Sequence, residues 1–242
     1  MQTAKHASVF PSGQLAFADH AEHATMHGID SKSCPKCEVP CKELGENPQK
    51  IYEACDYILY REKALEQEPG QAGGLAEYFQ QVGVKIGRNV FTGLHRVNPA
   101  DLHKPDLLHN IYHGLFKHMM EWVEGFLKKH KGQQAFDDTR KDIPHYPRFS
   151  VPKKAYREVT QWQGKEMCNL GRWISAVLAS GLRNPESSQQ QDFNSLLKCV
   201  SAAVDFSLMA QLRSHTPDTL VYIESYLQTF HRRKNIFLEF RT

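Results

Sequence analysis

From residue 105 onward the apolar side chains of this chain fall on one helical stripe. Leu107, Leu108, Ile111, Leu115, Met119, Trp122, Val123, Phe126 and Leu127 recur at three- and four-residue intervals. A strand turns its side chains over every second residue, so this spacing fits a helix and excludes a half-buried strand. The stripe is broad, which predicts a helix packed against other helices. It should stop near Lys131-Gly132, where a basic run meets a glycine. A connector carrying Pro144, Pro147 and Pro152 follows, then helices over residues 153–182, interrupted near Gly164, and 187–213. The last helix opens at Thr216-Pro217-Asp218, a capping residue followed by proline at the first helical position.

The region before residue 105 is less regular. Residues 14–19 and 82–86 read as short strands, residues 48–66 as a helix, and Pro69-Gly70 and Gly73-Gly74 mark loops. The expected fold class is therefore mainly α with a minor β part (α+β). Residues 1–104 would form an irregular region and residues 105–242 a helical bundle. A chain of 242 residues can bury a true core in either arrangement. Its net charge of +3 permits contact with nucleic acid without demanding it. No apolar run nears the ~18 residues that span a bilayer, so no membrane partner is expected.

Chemistry concentrates in a few places. Cys34-Pro35-Lys36-Cys37 offers two thiols from one tight turn, half of a tetrahedral zinc site. Cys41 and His27 are the first choices to complete it, and His23, Cys55, His95 and His103 are further candidates. A pair of free thiols is the plainer alternative. The clustering of four of the six cysteines fits metal-site or reduced-thiol usage, hence a nuclear or cytoplasmic location. Asp19, Asp106 and Glu166 could bind Mg²⁺ or Mn²⁺ for phosphoryl transfer if the fold gathered them. Each has a simpler reading too: Asp106 complements a helix dipole, and Glu166 lies on a solvated helix face. His109 is expected to hydrogen-bond within the fold and His113 to be exposed. The basic runs 128–131 and 231–234 could touch phosphates, but the first reads more simply as a helix C-terminus and the second as a solvated helix face.

Several of these segments together resemble a known family. Ala18-Asp19-His20-Ala21-Glu22, Cys34-Pro35-Lys36-Cys37, Pro105-Asp106-Leu107-Leu108-His109 through Trp122, Trp162-Gln163-Gly164-Lys165-Glu166 and Leu227-Gln228-Thr229-Phe230-His231 stand in the order found in Plavaka-type transposases. These belong to the Kyakuja-Dileera-Zisupton group of DNA transposons, abundant in mushroom-forming fungi. The resemblance implies a ribonuclease-H-like core that uses three carboxylates and two divalent metals to cut and rejoin DNA. It would make Asp19 the second catalytic acid and place the cysteines in a zinc-stabilised insert. Glu166 is then the first choice for the third acid, with Asp106 the second.

Family members also carry strands upstream of this point, which deliver the first acid. The expectation is accordingly a truncated transposase-derived protein, inactive alone, with only a remnant of the catalytic sheet. Two alternatives stay open: a helical module co-opted for DNA or protein binding, and a strand transferase complemented by a full-length transposase at transposon ends.

Overall fold

In the computed structural model, the described residues are 20–46, 52–65, 98–102, 106–182 except 145, 148, 150, 152, 153 and 160, and 189–240. The strand readings at 14–19 and 82–86 lie outside them. Among the described residues the chain is helical, with two isolated antiparallel bridges and no extended strand. It separates into two compact units, residues 1–106 and 107–242.

The first unit is built from short pieces. Helix α1 (His20–His27) ends at Gly28, whose φ of 67° lets the Ile29 N–H reach back to Ala24 O at 2.9 Å. A loop then carries the cysteine motif, and a 3₁₀ turn spans Cys41–Glu43. Helix α2 (Tyr57–Leu65) starts at Asp56, whose Oδ1 accepts the N–H groups of Ile58 and Leu59 at 3.1 and 3.0 Å. This helix is shorter than the one expected over 48–66. Ala54 pairs instead with Cys37 in an antiparallel bridge, flanked by Cys55 N–H to Lys36 O and Glu38 N–H to Glu53 O, both 3.0 Å. Short helix α3 (Pro99–Leu102) completes the unit. Asn98 anchors it, its Nδ2 donating to Cys55 O at 2.8 Å and its Oδ1 accepting from Ala100 N at 3.2 Å.

The second unit is a bundle. Helix α4 (Lys117–Lys129) buries Met119, Val123, Phe126 and Leu127 of the stripe, and Met120 beside them. It ends where expected: Lys131 takes a φ of 54°, and Gly132 N–H bonds Leu127 O at 2.8 Å. Upstream, the same rod is π-helical over Leu108–Phe116. Gly114 accommodates the wider turn, since a Cβ there would meet His109 O at 2.7 Å.

Helix α5 (Gln133–Lys141) occupies part of what reads as connector. Its buried polar pair explains why it is hard to see in the sequence. Asp137 and Arg140 are almost fully buried, 3.7 Å apart, and Arg157 Nη1 reaches Asp137 Oδ2 at 2.6 Å from the turn Tyr156–Glu158. Helix α6 (Gly164–Gly181) begins at the suspected interruption, and no longer helix covers 153–182. Gly164 and Gly171 let it lie against the π-helical segment, because a Cβ would collide with Leu108 at the first and with the Phe116 ring at the second.

Helices α7 (Gln190–Ala210) and α8 (Pro217–Arg233) form the most extensively packed pair, and a 3₁₀ segment (Lys234–Phe240) returns to α4. There Phe237 is fully buried, its ring 5.4 Å from Trp122. By length and composition α7 alone among the described helices could cross a membrane. Its apolar side is already used, since Phe193, Leu196, Cys199, Val200 and Ala203 are buried in the bundle core.

Candidate functional site

The first unit gathers thiols and imidazoles around the cysteine motif. Lys36 N–H points to Cys34 Sγ at 3.4 Å, and the Val39 N–H bonds the Cys37 sulfur in the same two-residue relation. These are backbone donors aimed at sulfur, the support a thiolate would use. The bridge between Cys37 and Ala54 brings Cys55 beside them, its thiol donating to Cys34 O at 3.6 Å. Cys41 lies apart from this packing, exposed at the head of its 3₁₀ turn.

Two histidines of α1 complete the surroundings. His23 and His27 are buried and stacked, their centroids 5.7 Å apart. His27 stacks in turn on Tyr57 at 4.8 Å, and the Tyr57 hydroxyl donates to Pro35 O at 3.2 Å. Each contact follows from the local fold: Tyr57 opens α2, so the helix that carries it also holds the cysteine turn.

The electrostatics are those of a site short of positive charge. Burial pushes the Cys55 thiol up to about 12, and the neighbouring Cys34 and Cys37 push the same way. Cys37 is also raised, first by burial and then by Cys34. Cys37 and Cys55, two neighbouring thiols held back from ionising, would both be favoured as thiolates by a bound dication. For His27, burial together with His23 and Lys36 lowers the imidazole to about 4. It is therefore neutral at ordinary pH, the form a metal ligand requires. As placed, though, no three His, Cys, Asp or Glu side chains among the described residues close into a metal-holding group.

Of the three acids, Asp106 and Glu166 lie among the described residues. Asp19 lies outside them. Asp106 is half-buried and stands just before the π-helical segment. Glu166, in the first turn of α6, accepts the Gln163 N–H on Oε2 at 2.9 Å. Its carboxylate caps a helix, a use open to any glutamate three residues past a helix start. His109 is exposed, while His113 is half-buried and faces a cavity, contrary to its expected exposure. The i+5 repeat of the π-helical segment and the close approach at Gly164 turn His113 inward.

The model of the Plavaka transposase family matches residues 3–123, half of the chain. The chain belongs to the Plavaka transposase family. The matched span takes in Asp19, the cysteine turn, Asp106 and the rod up to Val123. Glu166 lies beyond it, as do helices α5 to α8. No curated protein and no solved structure matches the chain.

Proposed function

We propose that this chain is a transposase-derived DNA-binding protein that does not cut DNA alone, with a zinc-stabilised first unit. Membership of the Plavaka transposase family carries the reading. The use of Glu166 as a helix cap supports the lack of cleavage, because a carboxylate committed to Gln163 is poorly placed to bridge metal ions. DNA as partner assigns the working protein to the nucleus.

A test is a nicking assay on a transposon-end duplex with Mg²⁺ or Mn²⁺. No cleavage is expected. Metal-dependent nicking that disappears in Asp19→Ala would instead make the chain a strand transferase with its own acid.

For zinc, Cys34, Cys37 and Cys55 with His27 are the preferred donors, and the set matches the mixed thiolate and imidazole ligation zinc favours. Cys55 is preferred to Cys41 because it packs beside the other two thiols, while Cys41 is exposed. Metal analysis of purified protein should find about one equivalent of zinc, as a four-ligand structural site holds. Less than about half an equivalent, unchanged by Cys34→Ser, would remove the zinc reading.

A further inference from the structure

A cavity of about 410 Å³ opens in the second unit, beside the junction of the π-helical segment and α4. Trp162 and Tyr156 form one wall, their rings nearly parallel with centroids 4.8 Å apart. Tyr156 is buried and Trp162 only half-buried, so the tyrosine backs the indole from the protein side. Lys117 and Arg157 stand at the rim. Asp137 fixes Arg157 through a single guanidinium nitrogen at 2.6 Å. An Arg presents five N–H donors in a planar fork, so most of them remain for a ligand. His113 contributes a further ring. One carboxylate, Glu121, also lines the cavity, and His118 engages it at 3.3 Å.

We propose that this cavity takes one unpaired base of a DNA single strand, stacked on Trp162, with the flanking phosphates at Lys117 and Arg157. An aromatic face accepts any base, and stacking plus backbone charge is the general means of holding single strands. The volume is of the size that small-ligand sites occupy, roughly 300–1,000 Å³. Glu121 within the wall argues against a phosphate chain running through the cavity. It leaves the rim for phosphates and the interior for the uncharged base. The backed indole is the decisive feature, since an aromatic held rigid from behind loses little freedom when a base lands on it. This proposal rests on the DNA-binding reading above and adds the strandedness and the residue.

The test uses the whole chain, a labelled 12-nucleotide single strand and the matching duplex, with anisotropy measured at two salt concentrations. The parent should bind the single strand. Trp162→Ala should weaken that binding about tenfold, the scale of one lost stacking contact, while Trp162→Phe keeps most of it. Lys117→Ala, at an exposed position, should weaken it a few-fold and flatten the salt dependence. Duplex binding should be unchanged in all three.

Wild-type single-strand affinity in Lys117→Ala and in a Trp162→Ala protein of normal circular dichroism would overturn the proposal. If Trp162→Ala misfolds, Lys117→Ala and the retained affinity of Trp162→Phe decide the matter. Duplex binding that persists while the single-strand arm fails leaves the DNA-binding reading intact. Failure of both arms in the parent removes that reading together with this one.

Discussion

The two units solve the folding problem differently. Among the described residues, the second unit has a core cluster of twenty-two buried side chains, including Phe116, Phe126, Phe136, Trp173 and Phe237. The first has six, of which two are alanines and one is Cys55. Burying a large apolar side chain contributes roughly 1.5–3 kcal/mol, so the second unit can stand on its core alone. A core as small as the one formed by the described residues of the first unit leaves, by itself, little margin over the entropy of ordering their loops. Small folds of that kind are usually held by a covalent or metal cross-link. The cysteine and histidine cluster sits where such a cross-link would act.

Chelation should therefore break the comparison most dramatically. Structural zinc supplies roughly 10–16 kcal/mol of folding free energy in small metal-held domains. Incubation with a strong chelator is expected to expose residues 20–65 to protease while residues 107–240 stay protected. Equal protection of both regions after metal removal would show that the first unit holds together without metal. Mass spectrometry of the fragments gives the answer without separating the units.

The complementary break is in the second unit. Phe116 is fully buried at the end of the π-helical segment, against Gly171 of α6. Phe116→Ala should cost about 3–5 kcal/mol through lost transfer energy and the cavity left behind. Thermal melting should show that loss in the bundle and not in the first unit. The reverse change probes the same contact from the other side. Gly171→Ala puts a methyl group into the Phe116 ring, and overpacking of this kind costs about 1–3 kcal/mol. A Gly171→Ala protein as stable as the parent would show that the ring has room to move.

How much of this is legible in the sequence differs between the same two regions. In the bundle the pattern carries far. The stripe marks the buried side of α4 through Met119, Val123, Phe126 and Leu127, Lys131-Gly132 ends it, and Thr216-Pro217 opens α8; in the π-helical part the wider turn buries Tyr112 and Phe116 instead of the stripe residues. What escapes there depends on contacts between distant residues. The π-helical turn needs Gly114 and a neighbour as slim as Gly164, and α5 buries the pair Asp137 and Arg140 rather than an apolar stripe.

The first unit offers periodicity almost nothing to work with. Cys41 is nearer to Cys37 along the chain, yet it is Cys55 that the bridge at Ala54 brings beside Cys34 and Cys37. That pairing also shortens the helix read over 48–66, because residues committed to a bridge cannot be helical. The capping role of Glu166 follows from local rules, a glutamate three residues past a helix start, whereas a catalytic role would depend on partners from outside its helix.

The smallest effect tests whether local signals hold α8 in place. No residue of α8 is buried, so its packing on α7 rests on partly covered side chains such as Leu227 and Phe230. Its start should then matter more than a start usually does. Thr219 N–H donates to Thr216 Oγ1 at 3.3 Å, and Thr216 N–H donates back to Thr219 Oγ1 at 2.8 Å. Thr216→Ala removes one of these bonds and should cost about 1 kcal/mol. The loss should fray α8 first, so hydrogen exchange should quicken over residues 217–223 while α4 and α6 keep their protection. Exchange that rises equally in all three helices would mean that the bundle opens as one cooperative body, and that α8 is held by its packing rather than by its cap.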